Sequence, residues 1–206
     1  MPPHNGTSVK AGFHVEYEVK PCAFGNGLFA KTDIPKGTLL WKIIAMPYAQ
    51  AAIAAEQFGG RGLAASTKAA AQAAGCNVIS FNNEAEAQER LEELGKEGGI
   101  DAQAFWMDHV YMFAGSLNEI LDDGKMWNHS EEPCTGLPPA GNEYCFESSY
   151  SIRDIKAGEE LLDDYGLYEY PTWYNSLCAK FGVTRDFVHV KEAPKKEEWK
   201  GYELKK

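Results

Sequence analysis

Asp154-Ile155-Lys156-Ala157-Gly158-Glu159-Glu160-Leu161-Leu162-Asp163-Asp164-Tyr165-Gly166 is the stretch on which the reading of this chain turns. A turn of the form Ile-x-x-Gly, two acidic residues, a short apolar strand and an Asp-Tyr-Gly loop follow one another without a break. Alone, Asp-Tyr-Gly is an ordinary loop signal. Two more segments precede it in a fixed order. Cys22-Ala23-Phe24-Gly25-Asn26-Gly27-Leu28-Phe29-Ala30 comes first, with Asp33-Ile34-Pro35-Lys36-Gly37 just behind it. Met126-Trp127-Asn128-His129-Ser130 comes second. The turns Ile34-Pro35-Lys36-Gly37 and Ile155-Lys156-Ala157-Gly158 echo each other locally, with no repeat architecture around them.

Working outward, Phe13, Val15, Tyr17 and Val19 alternate with His14, Glu16, Glu18 and Lys20, the period of a half-buried strand. Residues 22–27 read as a glycine-containing loop, 27–30 as a strand, and Thr38 to Met46 as one further apolar strand. Composition then changes. Residues 49–75 are alanine-rich, are interrupted by Gly59-Gly60-Arg61-Gly62, and predict two short helices ending at Gly75. Residues 77–81 predict a brief strand. Asn83 followed by Glu86 predicts a capping box opening a helix that Gly95 closes. Strands return at 110–113, 118–121 and 144–152, and a last helix is expected from Tyr170 to Phe181, starting near Pro171-Thr172. Many short strands without regular βαβ alternation disfavour a doubly wound parallel sheet.

The chain has 206 residues, 44% of them apolar and 12% aromatic, enough for a packed core. The formal net charge of −10 argues against binding a nucleic-acid backbone and is compatible with a basic partner. No apolar run is long enough to span a bilayer, and the N-terminus lacks a signal-peptide core. Five cysteines without a Cys-x-x-Cys pair predict neither a disulfide framework nor a zinc cluster, which points to a reducing, intracellular setting. The other histidines (4, 14, 109 and 189) show no ligand spacing that would make His129 a metal ligand.

Taken together and in order, the three segments, joined by Tyr111-Met112-Phe113 and Asp122-Asp123-Gly124, resemble the SET domain of protein-lysine methyltransferases over roughly residues 13–46 and 108–170. The resemblance implies an α+β, mostly β fold: several small curved sheets, a C-terminal pseudoknot and a helical insertion at about 49–106. The domain would run from 13 to 182, between a loose arm at 1–12 and a tail at 183–206. It also implies S-adenosylmethionine as cofactor and a lysine-containing protein, such as a histone tail, as substrate. By the same resemblance Gly25, Asn26, Gly27, Leu28, Asn128, His129 and Tyr165 would hold the cofactor, with Tyr165 and Tyr111 as the catalytic pair. Tyr111 and Phe113, two apart on one strand and so on one side of it, would wall the lysine channel; ordinary core packing is the rival reading for Phe113.

Glycines at 25 and 27 suit a site where the main chain must come close to a ligand. The dinucleotide fingerprint fails here, because no third glycine follows and Leu28-Phe29-Ala30 continues as strand instead of opening a helix. The acidic pairs Glu159-Glu160 and Asp163-Asp164 would either attract a basic substrate or form a solvated face. The sequence departs from the family after Ser130, where Glu131-Glu132-Pro133-Cys134 replaces the usual Cys-x-Pro-Asn. Only Cys178 lies beyond Tyr165, so the three-cysteine zinc cluster that many members add is missing, and Trp173 or a neighbouring aromatic is expected to cover the cofactor. Three functional readings stay open: an active lysine methyltransferase, a catalytically silent SET-fold binding module, and an unrelated β-rich interaction protein with chance motif matches. Retention of Asn128, His129 and Tyr165 favours the first.

Overall fold

The computed structural model describes residues 12–57, 59, 64–113, 116–137, 148–167, 170 and 172–181, with only the main chain at 113, 167 and 172. The expected arm, apart from Gly12, and the expected tail lie outside the described residues. So do the side chain of Phe113, the first part of the 144–152 strand and most of the Gly59–Gly62 interruption.

Along the chain run β1 (Tyr17–Cys22), β2 (Gly25–Ala30), β3 (Leu39–Lys42), β4 (Ala45–Pro47), α1 (Tyr48–Glu56), α2 (Ala64–Ala73), β5 (Val78–Phe81) and α3 (Glu84–His109). Then come β6 (Val110–Phe113), β7 (Ser116–Ile120), β8 (Asn128–His129), β9 (Thr135–Gly136), β10 (Ser148–Ser151), β11 (Leu162–Asp163) and α4 (Thr172–Lys180). The strands form four small sheets among the described residues: β1-β2, β3-β10-β9, β11-β8 and β4-β5-β7-β6. This is the SET fold that the three segments imply. The parallel pairing of β8 with β11 lies where the resemblance puts the pseudoknot.

Two expected boundaries move, each for a visible reason. Residues 25–27 are strand, because β1 and β2 form a hairpin whose register runs to Cys22 opposite Gly25, a corner where Gly25 takes φ +106°. The strand expected from Thr38 to Met46 is split into β3 and β4. Between them the Asn77 amide serves the main chain in place of a neighbouring strand: Oδ1 accepts from Ile44 N–H at 2.7 Å and Nδ2 donates to the Lys42 carbonyl at 3.0 Å.

The helix from Asn83 starts as read. The Asn83 side chain accepts from Glu86 N–H at 3.0 Å, and Glu86 accepts from Asn82 N–H at 2.8 Å. It does not stop at Gly95. The break falls at Gly99, with φ +65° and ψ −157°, after which the second half of α3 turns back on the first. Gln103 then donates to the Leu91 carbonyl at 2.8 Å and lies 2.6 Å from where a Cβ on Gly95 would sit. Gly95 is there for close approach, and the termination role belongs to Gly99.

β5 sits inside the segment expected as a helical insertion and joins two cores. Ile79 and Phe81 face the helices with Tyr48, Leu91, Trp106 and Leu117, whereas Val78 faces the second core with Leu28, Leu40, Trp41 and Trp127. Under α3 lies an ionic network in which Arg90 and Glu93 are buried and Glu119 is mostly so. Arg90 binds both carboxylate oxygens of Glu119 (2.8 and 2.9 Å), Glu93 (3.2 Å) and the Ala64 carbonyl (2.8 Å). Trp106 Nε1 and Tyr48 Oη donate to Glu119 and Glu93 respectively.

The two echoed turns clasp each other. Ile34 and Ile155 exchange both main-chain hydrogen bonds at 2.8 and 2.9 Å. Asp33 accepts from Ala157 N–H (2.9 Å) and Lys156 Nζ (2.8 Å), and Asp154 accepts from Lys36 N–H (2.8 Å). The hydrogen bond from Lys156, then that from Ala157, holds the Asp33 carboxyl below its ordinary 3.8. A lowered carboxyl stabilises above its unfolded value and is lost as pH falls through its folded one. The Ala157 amide resonance is therefore expected to report a midpoint below 3.8 when titrated by NMR. A midpoint at or above it would mean that the clasp contact does not form in solution.

Candidate active site

The hairpin β1–β2, the parallel pair β8–β11 and the loop to Tyr165 bring the three motif segments to one place. β11 sets Leu162 opposite Asn128 and Asp163 opposite His129, with Ser130 N–H on the Asp163 carbonyl at 2.9 Å. β2 is held alongside: Leu161 N–H donates to the Leu28 carbonyl at 2.7 Å and Ala30 N–H to the Glu159 carbonyl at 2.9 Å.

Asn128 is the hub. Its Nδ2 lies 2.7 Å from Glu160 Oε1, 3.2 Å from the Asn26 carbonyl and 3.2 Å from Cys22 Sγ. A carboxylate and a carbonyl can only accept, so these contacts fix which end of the amide is nitrogen. Asn128 Oδ1 is left as an acceptor with no donor among the described residues. Gly27 lies beneath this contact. A Cβ there would sit 2.1 Å from Glu160 Oε1 and 3.1 Å from Asn128 Nδ2, so only glycine admits the pair. Gly25 has open space around it and is fixed by its backbone conformation instead.

Gly27→Ala is expected to push out the Glu160 carboxylate, free the Asn128 amide and destabilise the fold by about 1–3 kcal/mol. Urea denaturation of a double-mutant cycle with Glu160→Ala checks it: the second change is expected to cost less in the Gly27→Ala background than alone. Additive costs would mean that the two residues do not meet.

His129 Nδ1 accepts the Tyr165 main-chain N–H at 3.1 Å. The ring proton therefore sits on Nε2, and the 3.9 Å approach of Asp164 to Nδ1 is no salt bridge in that form. The two rings lie 5.4 Å apart. Tyr165, 45% exposed, donates its hydroxyl proton to the Trp127 carbonyl. Tyr111, on β6, packs against the core that contains Trp127.

The Leu28 side chain is fully buried in the core, which leaves its main chain for the expected role. The acidic stretch is not a free negative face. Glu159 pairs with Arg153 at 2.6 Å, and Glu160 turns inward to Asn128. Asp163 is buried and accepts from Asp164 N–H, and Asp164 from Gly166 N–H, each at 2.9 Å. Trp173 packs on the helical core beside Tyr174. Cys134, the departure after Ser130, is fully buried. Its Sγ donates to the Glu160 carbonyl and accepts from Leu162 N–H, each at 3.3 Å, and burial pushes its thiol upward. Cys134 thus ties down the segment between Glu160 and Leu162. Sequence reasoning missed Glu160 and Cys22 as partners of Asn128. The signal available was the crowding that a glycine next to Asn26 implies.

The family model for the SET domain matches residues 25–166. No curated protein matches the sequence. Among solved structures, a Plasmodium falciparum protein described as a "putative histone methyltransferase" is similar over 78% of this chain and 99% of its own, at 14% identity and a TM-score of 0.39.

Proposed function

The chain belongs to the SET-domain family of methyltransferases, and on that premise we propose that it is a protein-lysine N-methyltransferase, carrying a methyl group from S-adenosylmethionine to a lysine side chain of a protein such as a histone. The observation that supports this most is the Gly27–Asn128–Glu160 contact beside the His129–Tyr165 pair. A cradle closed to any Cβ, next to an amide oxygen with no donor among the described residues, suits a ligand rich in polar groups.

S-adenosylmethionine, when bound, supplies a methyl group on a cationic sulfur that an uncharged amine displaces in line. The chain's task is then orientation and desolvation. Gly25 and Gly27 would let the main chain approach the cofactor, and Asn128 Oδ1, unclaimed among the described residues, would accept from it. His129 holds the Tyr165 main chain. Since the Tyr165 hydroxyl spends its proton on the Trp127 carbonyl, its lone pairs remain to accept from the substrate amine and aim it. A free lysine at pH 7 gives up its proton at a cost of about 4.6 kcal/mol. The aromatic surroundings of Tyr111 and Tyr165 lower that cost by desolvating the ammonium.

The test is incubation of the purified protein with methyl-labelled cofactor and a panel of histones and lysine peptides, with calorimetry for cofactor binding alongside. Label on a lysine is the expected result. Binding without transfer across the panel would make the chain a silent binding module, and no binding by folded protein would overturn the proposal.

A further inference from the structure

A second site lies away from the cluster around Asn128. A cleft of ≈ 290 Å³ opens between α2, the returning half of α3 and the β6–β7 edge, and it shares no lining residue with the candidate active site. Its size falls at the lower end of the roughly 300–1,000 Å³ usual for small-molecule sites. The walls are largely apolar, built by Leu94, Phe105, Trp106, Val110 and Ile120.

Two lysines enter it from different elements, Lys68 on α2 and Lys125 in the 3₁₀ turn Asp123–Met126. Both are half-buried, and neither ammonium has a hydrogen-bond or ion-pair partner among the described residues. The carboxylates lining the cleft are already engaged. Glu119 gives both oxygens to Arg90 and also accepts from Trp106. Glu97 accepts the Ala65 N–H at the start of α2, at 3.2 Å. Burial first, then the neighbouring Lys125, holds the Lys68 ammonium below its ordinary range, with the pull of Glu119 too weak to offset them. A half-buried cation without a partner is costly unless an anion meets it. On a chain of net charge −10, two such cations at one apolar cleft stand out.

We propose that this cleft binds a small organic anion, in which a carboxylate or phosphate group meets Lys68 and Lys125 and an apolar, ring-sized body lies against Phe105 and Trp106. The ammoniums supply charge-assisted hydrogen bonds, and the walls exclude water from them. The site stands independently of the methyl-transfer reading.

Titration of the full chain with phenyl phosphate, and separately with benzyl alcohol as its neutral counterpart, tests this by calorimetry and ligand-observed NMR. Phenyl phosphate is expected to bind and benzyl alcohol not. Lys68→Met and Lys125→Met are each expected to weaken binding roughly tenfold or more, with Lys68→Arg retaining it. Circular dichroism checks each variant, and should Lys68→Met fail to fold, Lys125→Met carries the test. Equal binding of the alcohol, unchanged affinity in a folded methionine variant, or no binding up to about 10 mM would each overturn the proposal.

Discussion

Tyr165→Phe is expected to leave the chain folded and to lower methyl transfer by about 100-fold or more, the cost of misplacing a reacting group by an ångström. The hydroxyl ties the ring to the Trp127 carbonyl, and its loss frees a ring that is already 45% exposed. The stability cost of one such half-exposed hydrogen bond is only about 0.5–1.5 kcal/mol. The loss should therefore appear in kcat, with cofactor affinity nearly unchanged, because Gly27, Asn128 and His129 keep their contacts. Single-turnover measurements on folded protein, compared with calorimetric cofactor binding, separate the two. Wild-type turnover in the variant would remove Tyr165 from the chemistry. Equal losses in affinity and turnover would make its ring part of the binding surface.

Arg90→Met is expected to destabilise the fold by about 3–5 kcal/mol, the range for removing one partner of a buried ion pair. Arg90 and Glu93 are almost fully buried, with side-chain exposures of 2% and 3%, and Glu119 is at 14%. Burial alone would lower the Arg90 guanidinium, but Glu119 and then Glu93 outweigh it and hold it above its ordinary range. For Glu93, burial pushes the carboxyl above its ordinary 4.5 against the pull of Arg90. Remove the guanidinium and that pull is gone. A carboxyl raised in the folded state stabilises below its unfolded value and loses that contribution as pH rises through the folded one. The deficit of Arg90→Met is thus expected to be largest near neutrality and to shrink on mild acidification, measured by urea denaturation across pH. A deficit independent of pH would point to lost packing volume rather than stranded charge.

Much of this was legible in the residues. The order of the three motif segments carried the resemblance to the SET family, and the resemblance implied the fold. Asn83 with Glu86 opened α3 as a capping box should, and the β-rich run at 77–81 became β5. Other features depended on contacts remote in sequence. Nothing local to Gly95 distinguishes a helix end from a notch for Gln103. Nothing in the Thr38–Met46 run shows that Asn77 will take over its main-chain partners. The acidic stretch read as surface because composition reports charge and not direction. The meeting with Asn128 and Gly27 turns Glu160 inward, and Arg153 with the Lys156 N–H engages Glu159. Leu28 lay inside a ligand motif yet packs in the core, beside a Gly27 that is itself buried under Glu160 and Asn128.

The clasp between the two Ile-x-x-Gly turns also governs when the site can exist at all. Its hydrogen bond from Ala157 to Asp33 joins residues 124 positions apart, and it closes β2 onto the segment that carries Glu160. Contacts of that separation form late, because loop-closure entropy is spent before they return anything. A nascent chain therefore presents the hairpin around Gly27 long before Asn128, Glu160 or Tyr165 has been made, and at ordinary elongation rates the wait is on the order of ten seconds. The candidate site is in this sense assembled late, when the two distant turns lock together.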